Sequence, residues 1–276
     1  MRIILLGILS LLAATGLSSC GSKSTAGTAS TTSTAGTEVT LVTYNVGVFS
    51  KSGSNTTGMI AQMLKEMGAD VVSLNELDSC TTRNPSFQIR DLATEMGGWD
   101  WNFAPAIDYK GGKYGVGIIA APGMEILSRK RLTLDKGDGA EQRALAVCEF
   151  RDFVFCSTHL DHRSADAQYN QAKQINSWIE ATYGATDKPV FLCGDFNALP
   201  GSATLVYMRD SWTVISPNGF TFSAKNPSKC IDYIMVYKNA ASRVEVLSAV
   251  IPTSFRTGSV SIASDHLPVL VKVKLN

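Results

Sequence analysis

The sequence predicts an α+β domain in which mixed β-sheets carry helices on their outer faces. Strand-like runs follow one another directly around 115–121, 125–134, 142–150 and 152–159, which excludes a regular alternation of strands and helices. Helical spacing appears elsewhere, most clearly in SADAQYNQAKQINSWIEATYG, which Ser164 caps. The composition, 45% hydrophobic and 18% charged residues, is typical of a globular domain.

The N-terminal segment predicts a targeting signal followed by a flexible tether. Residues 1–19 are expected to form a signal peptide, because the apolar run IILLGILSLLAATGL is short for a membrane-spanning helix. LSSC resembles a bacterial lipobox with Cys20 as the lipidated residue; the alternative is a plain secretion signal with a chance cysteine. The rest of 20–37 holds only Gly, Ser, Thr, Ala and one Lys, which predicts a flexible tether. We therefore expect a membrane-anchored lipoprotein of the cell envelope, periplasmic or at the cell surface, with its folded domain over 38–276.

The remaining elements follow in chain order. EVTLVTYNVG predicts a strand up to Asn45, TGMIAQMLKEMGAD a helix that stops at Gly68, VVSLNEL a strand ending at Glu76, and SFQIRDLATEMGG a second helix. After the strand series and the long helix, the apolar run VFLC predicts a buried strand. We expect a short helix near 202–209 and strands near 220–223, 231–237, 243–250 and 268–275.

Net charge and cysteine content argue against two classes of function. Without the signal peptide and its single basic residue, 24 basic residues face 24 acidic ones, which argues against tight non-specific binding to duplex DNA. Cys148, Cys156 and Cys193 lie in apolar runs and are expected to be buried thiols, while pairing of Cys80 with Cys230 stays open. No Cys/His spacing indicates a zinc site.

Polar side chains stand where the strand-like runs begin or end. Each has a plain alternative: a turn residue, a solvated strand end or a core histidine. Taken together they predict one site, because loops at strand ends are where catalytic groups usually lie. Asn, Asp and Glu oxygens suit Mg²⁺, and histidines beside acids suit proton transfer. The set comprises Asn45, Glu76, His159, Asp161, Asp195, Asn197, Asp232, Asp265 and His266.

The segments TYNV, NEL, STHLDH, CGDFNALP, CIDYIMV and SDHLPV occur in the order used by the endonuclease/exonuclease/phosphatase superfamily, which residues 38–276 resemble. The resemblance implies a four-layer α/β/β/α sandwich of two packed mixed sheets with the site at one end. It also implies a metal-dependent hydrolase that cleaves a phosphodiester or phosphomonoester by water attack at a Mg²⁺-bound phosphate. The protein would be a lipoprotein member of that superfamily.

The resemblance implies a metal-binding group. Glu76 is expected to be the principal metal carboxylate, with Asn45 beside it and Asp265 as a further acid on that side. Gly47 stands where some relatives carry an acid or a histidine, so we expect one ion. Mg²⁺ is the expected ion, with Mn²⁺ or Ca²⁺ as alternatives.

The resemblance also implies a catalytic group. Asp195 and Asn197 are expected to orient the water and bind phosphate. His266, partnered by Asp232, is expected at the scissile phosphate, and His159 close to the leaving group. Asn197, His159 and His266 are therefore the expected substrate-binding residues.

The resemblance leaves the substrate open. Gln168 stands where many bacterial relatives have Arg, and Val116 where many phosphatase-type members have Asn. We expect a monomer acting on a small-molecule or lipid-linked phosphoester ahead of nucleic acid. The alternatives are a secreted nuclease acting on DNA or RNA, and a catalytically inactive binding module of the same fold.

Overall fold

The computed structural model describes residues 36–276; the predicted signal peptide, Cys20 and most of the tether lie outside the described residues. The strands are β1 (Thr37–Asn45), β2 (Val71–Thr81), β3 (Asn84–Phe87), β4 (Asp100–Tyr109), β5 (Gly112–Ala120), β6 (Ser128–Leu134), β7 (Arg143–Glu149), β8 (Val154–His159), β9 (Val190–Asp195), β10 (Trp212–Val214), β11 (Asp232–Tyr237), β12 (Val244–Val250) and β13 (Val269–Leu275). The helices are α1 (Thr57–Glu66), α2 (Gln88–Glu95), α3 (Ala165–Tyr183), α4 (Ala203–Met208) and α5 (Val260–Ala263), with 3₁₀ helices at Gly47–Phe49 and Lys238–Arg243. Within 36–276, no helix has the length and apolar character needed to cross a membrane.

The strands form two mixed sheets. The first has seven strands in the order β12-β13-β1-β2-β5-β4, with β3 paired to β2, and the second has six in the order β10-β11-β9-β8-β7-β6. Each sheet contains one parallel pair, β1 with β2 and β8 with β9, and the other pairings are antiparallel. These parallel pairs bring strand ends together, and the site is built at those ends.

The core lies in three layers, which confirms the four-layer sandwich. One apolar cluster fills the space between the sheets, and two others pack each outer face against helices. Strand β9 shows why its sequence is continuously apolar: Phe191 and Cys193 face the other sheet, while Val190 and Leu192 face the helix layer. Helix α3 covers that outer face with Ile175 and its neighbours, and begins where Ser164 accepts the Ala167 N–H, as predicted.

Several element predictions were wrong or incomplete. Strand β4 was not predicted, because Pro105 and scattered polar residues hide its period. Only Phe222 forms bridges in the segment expected as a strand over 220–223. Strand β2 does not end at Glu76 but continues to Thr81.

The cysteine expectations are mostly confirmed. Cys148, Cys156 and Cys193 are buried free thiols. Cys80 is exposed and Cys230 is buried, and neither forms a disulfide in the structure. The pairing that the sequence left open is therefore not present.

Candidate active site

The two parallel strand pairs place the predicted side chains in rows. In the first sheet, Asn45 of β1 lies opposite Asn75 of β2. In the second, Asp195 of β9 lies between His159 of β8 and Asp232 of β11. Because the carboxyl ends of parallel neighbours meet at one sheet edge, side chains far apart in sequence converge. Asn45 and Asp195, 150 residues apart, are joined by a hydrogen bond of 3.1 Å.

Gly194 permits this convergence. Its backbone adopts φ +144°, and a Cβ atom there would lie 1.8 Å from the Thr158 carbonyl oxygen. Only glycine lets β9 approach β8 this closely at the residue before Asp195. The Gly-Asp pair in the sequence therefore has a structural reason beyond turn formation.

We call His159, Asp195, Asp232 and His266 the buried cluster, because all four side chains are almost fully shielded. The Asp195 Oδ2 atom lies 3.5 Å from His159 Nε2 and 3.6 Å from His266 Nε2. The other oxygen, Oδ1, accepts the Asn197 N–H at 2.8 Å. Burial raises the pKa of Asp195, and the charge of Asp232 adds to the rise, which makes this carboxylate a better proton acceptor.

His266 is held in the charged form. Its Nδ1 lies 2.9 Å from Asp232 Oδ2, so the ring donates there, and its Nε2 lies 3.6 Å from Asp195 Oδ2 and 3.4 Å from the Asn45 amide nitrogen. Burial lowers the pKa of His266, but the charges of Asp232 and Asp195 outweigh that effect and raise it to about 10. Ser264 fixes the loop by donating to the Asn45 carbonyl at 2.6 Å and accepting the His266 N–H.

His159 is held in the opposite protonation state. Burial lowers the pKa of His159 well below its ordinary value, and the charge of Arg143 adds to the fall. The Asn197 amide nitrogen lies 3.0 Å from His159 Nε2 and also donates to the Leu160 carbonyl, so Nε2 acts as an acceptor. The two histidines of the site therefore differ in charge at neutral pH.

Glu76 reaches the pocket through a β-bulge rather than a strand end. The β2–β5 register shifts between Leu74 and Leu77, and Glu76 adopts φ +59°. The bulge turns Glu76 toward the pocket and leaves Asn75 between the sheets. There Asn75 donates to the Thr158 carbonyl at 2.8 Å and accepts the Asp195 N–H at 2.9 Å. A residue that sequence patterns did not identify thus positions Asp195.

We call Glu76 and Asp265 the open edge, since 18% and 34% of their side-chain surfaces are exposed to solvent. Lys51 lies between them, with its Nζ 3.4 Å from Glu76 Oε2 and 3.2 Å from Asp265 Oδ2. Two carboxylates that converge on one positive charge beside the pocket form a donor set that fits a hard divalent cation.

Asn45 lies beside Glu76 and links it to the buried cluster. Its side-chain oxygen accepts the Gly47 N–H at 3.1 Å, while its amide nitrogen donates to Glu76 Oε1 and Asp195 Oδ2 at 3.2 and 3.1 Å. In this orientation the Asn45 amide nitrogen aligns the two acids, and its oxygen keeps a second lone pair beyond the bond from Gly47. Metal ligation by Asn45 stays a prediction.

A second group with metal-binding composition lies in the buried cluster. Ligand atoms of Asp195, Asp232 and His266 fall within 4.8 Å of one another. The His266 Nδ1 atom, however, is already hydrogen-bonded to Asp232. A nitrogen that carries a proton cannot ligate a metal, so we interpret this group as an ion-paired proton site.

A pocket of about 560 Å³ adjoins both the buried cluster and the open edge, and two basic side chains also line it. Arg143 is buried there, and it contacts Glu141 at 2.9 Å and His162 Nδ1 at 3.0 Å. Its Nε has no hydrogen-bond partner among residues 36–276. Lys229 also lines the pocket. These side chains were missed because Arg143 opens an apolar strand and Lys229 lies in a polar loop.

Asp161 lies outside the site, although the sequence grouped it with the strand-end residues. It accepts backbone N–H groups from Ala140, Arg163 and Ser164 at 2.7, 2.8 and 2.9 Å. These bonds lower the pKa of Asp161 despite the opposing effect of burial. Its carboxylate organises the loop before α3.

The family model for the Endonuclease/Exonuclease/phosphatase family matches residues 42–266. The chain belongs to this family. The match spans every residue of the buried cluster and the open edge, so the geometry described above is that of a family member's strand-end pocket. No curated protein matches the chain.

Several solved structures share the fold. An endonuclease/exonuclease/phosphatase from Bacteroides vulgatus is 21% identical with a TM-score of 0.72, covering 87% of this chain and 100% of its own. A mannosyl-6-phosphatase from Bacteroides thetaiotaomicron is 19% identical with a TM-score of 0.67, covering 85% and 99%. ANGEL2, a 2′,3′-cyclic phosphatase, is 15% identical with a TM-score of 0.68, covering 87% and 96%.

Proposed function

We propose that the protein is a divalent-cation-dependent hydrolase of phosphoesters, with Mg²⁺ as the physiological ion. One observation carries the proposal: Asp195 Oδ2 faces His159, His266 and Asn45 at the floor of a pocket whose rim holds two further carboxylates. An acceptor for a water proton, a charged donor for phosphate and a cation site thus meet in one place. Phosphoryl transfer needs this positioning and electrostatic stabilisation more than it needs covalent chemistry.

The buried cluster supplies the proton chemistry. Asp195, whose pKa is raised by burial, accepts a proton from the attacking water, and Asn197 lies beside it to hold that water. His266 stays charged and donates from Nε2 to a phosphate oxygen, while Asp232 holds the ring at Nδ1.

His159 fits a role as an acceptor. A neutral imidazole has one lone pair, here on Nε2, which accepts from a water or a substrate hydroxyl only in place of the Asn197 amide, and it cannot protonate a leaving group from that atom. We therefore place His159 beside the water and the phosphate, and not as the acid for the leaving oxygen. Glu76 and Asp265 would hold the divalent cation, which would supply Lewis-acid stabilisation of charge on the phosphate.

Pocket shape favours a small or lipid-linked phosphoester as substrate. The pocket that adjoins the buried cluster and the open edge has a volume of about 560 Å³, within the range used for small ligands. Buried Arg143 and the Lys229 amine offer anion contacts inside that pocket. A nucleic-acid track would instead need an extended basic surface with stacking aromatics. Relatives of the same fold include a mannosyl-6-phosphatase and a 2′,3′-cyclic phosphatase, which is consistent with a compact substrate.

A substrate panel tests this proposal. Plasmid DNA, RNA, inositol phosphates, sugar phosphates and phospholipids are incubated with the protein and Mg²⁺, with Glu76→Gln as the control. We expect turnover of a small or lipid-linked phosphoester. Efficient plasmid nicking at physiological salt, with no other substrate cleaved, would make the protein a nuclease. No turnover on any substrate, with phosphate still bound, would favour the inactive binding module.

The proposal includes attachment to a membrane of the cell envelope through Cys20, whose sequence context is LSSC. Lipid labelling of cells that express the protein is the test, and Cys20→Ala is expected to abolish it. Labelling that persists in this variant would contradict the anchor.

A further inference from the structure

Lys51 lies between the two carboxylates of the open edge and contacts both. Its Nζ is 3.4 Å from Glu76 and 3.2 Å from Asp265, and the side chain is 37% exposed. The ammonium has no structural task apart from these two contacts among the hydrogen bonds and ion pairs of residues 36–276. A lysine that joins two acids across a pocket rim holds the position that a cation bound to both acids would take.

The backbone around Lys51 is shaped to allow this position. A Cβ atom on Gly47 would lie 2.3 Å from Lys51 Cγ, so only glycine leaves space for the lysine stem. Gly47, Val48 and Phe49 all have positive φ, of 52°, 50° and 53°. Two non-glycine residues in the left-handed region cost free energy, so the surrounding packing must impose this turn. Phe49 is fully buried in the core beside α1, which anchors it.

We propose that Lys51 is a built-in competitor for the divalent cation, so that cation binding requires the ammonium to leave Glu76 and Asp265. The inference rests on the proposed function, because it takes these two acids as the cation ligands. Two positive charges cannot share the same pair of oxygens at hydrogen-bond distance, since they repel each other strongly. The chain's own ammonium therefore lowers the affinity for metal and sets the cation concentration at which the site fills.

Calorimetric titration of the EDTA-treated protein with MnCl₂ alone tests the proposal without any activity measurement. Lys51→Met keeps the length of the stem but removes the charge, and we expect it to bind Mn²⁺ about tenfold more tightly, as two partly shielded ion pairs would allow. Lys51→Arg keeps the charge and is expected to stay within about threefold of the unaltered protein. Lys272→Met is the matched control, since Lys272 pairs with Glu38 in β1 and is similarly exposed.

Thermal unfolding gives an independent readout. In EDTA, Lys51→Met leaves Glu76 and Asp265 as unpaired neighbours, so its Tm is expected to fall below that of Lys272→Met. Added Mn²⁺ is expected to raise the Tm of Lys51→Met by more than that of the unaltered protein. A variant that shows a cooperative transition in both conditions is folded, which removes misfolding as an explanation.

The outcomes separate the two proposals. Equal Mn²⁺ affinity for the unaltered protein and Lys51→Met, with both losing binding on Glu76→Gln, would overturn the competitor role and leave the cation site intact. Weaker binding by Lys51→Met would also overturn it. Absence of Mn²⁺ binding in every variant, or binding that survives Glu76→Gln, would overturn the cation site and the competitor role together.

Discussion

The buried cluster and the open edge adjoin the same pocket, but the chain holds them by different means. In the buried cluster, only 1% and 5% of the side-chain surfaces of Asp232 and His266 are exposed to solvent. They are held by a hydrogen bond of 2.9 Å. In the open edge, Glu76 accepts a hydrogen bond from Asn45, and both acids contact the partly exposed side chain of Lys51. One region is pre-organised by the fold, and the other can rearrange around a ligand.

The difference matters because the two regions need different properties. Burial and fixed hydrogen-bond partners keep His159 neutral and His266 charged. A shift in the position of either ring would change its pKa and so its protonation state. A cation site must exchange its ligands with water and with substrate oxygens, which requires some exposure. We therefore expect substitutions in the buried cluster to alter chemistry and pH dependence, and substitutions in the open edge to alter cation dependence.

The largest expected effect belongs to His266→Ala. Loss of the charged donor should lower hydrolysis at pH 7 by about 10²–10⁴-fold, with His159→Ala in the same range. His162→Ala is the comparison and should lose less, because His162 lines the pocket and contacts Arg143 but is not part of the buried cluster. Steady-state rates on p-nitrophenyl phosphate and bis-p-nitrophenyl phosphate provide the measurement. Unchanged turnover in His159→Ala would make His159 a core residue only.

Asp232→Asn should have a smaller effect, because Asp232 acts through the His266 ring. Its charge helps to raise the pKa of His266 to about 10, so its removal should shift the alkaline limb of the rate profile to lower pH. A raised pKa in the folded protein also means a contribution to stability that is complete below about pH 6.5, the usual histidine value, and is lost as the pH rises through 10. The stability gap between the unaltered protein and Asp232→Asn should close over that interval. An alkaline limb that stays in place would contradict the pairing.

Asn75→Ala tests whether the contact between the sheets positions Asp195. It removes the two buried hydrogen bonds that Asn75 makes to the Asp195 N–H and the Thr158 carbonyl, which should lower the free energy of unfolding by about 1–3 kcal/mol. Ser73→Ala is the matched control on the same strand, because it breaks another contact between the sheets, to Ser157 at 2.7 Å, without touching Asp195. Urea unfolding measures the stability of both variants. Hydrolysis rates should show a loss of activity only for Asn75→Ala. Equal activity in both variants would remove the positioning role.

Strand-end patterns in the sequence identified the acids and histidines that the structure brings together. Asp195, Asp232 and His266 follow or precede short apolar runs, and that signal is local. Lys51 and Asn75 gave no such signal: Lys51 lies in a Ser- and Gly-rich loop, and Asn75 lies inside an apolar run. Their roles depend on partners far along the chain, such as Asp195, which is 120 residues from Asn75.

The same reasoning explains the errors in the elements. Glu76 was expected at a strand end, because nothing local predicts a bulge in which a non-glycine residue takes φ +59°. The Asn45 oxygen accepts the Gly47 N–H, an orientation that no local pattern in the sequence indicated. The orientation of an amide depends on its neighbours in space, which sequence patterns do not reveal.

The most direct test of the account is the Mg²⁺ dependence of bis-p-nitrophenyl phosphate hydrolysis in the unaltered protein and in Glu76→Gln. Glu76→Gln keeps the shape of the open edge and removes its main negative charge, while the buried cluster stays intact. The account predicts activity that EDTA abolishes and Mg²⁺ restores in the unaltered protein. In Glu76→Gln, activity should fall by orders of magnitude and the fold should be retained. Near-normal rates in Glu76→Gln with the same Mg²⁺ dependence would contradict the assignment of the cation to the open edge.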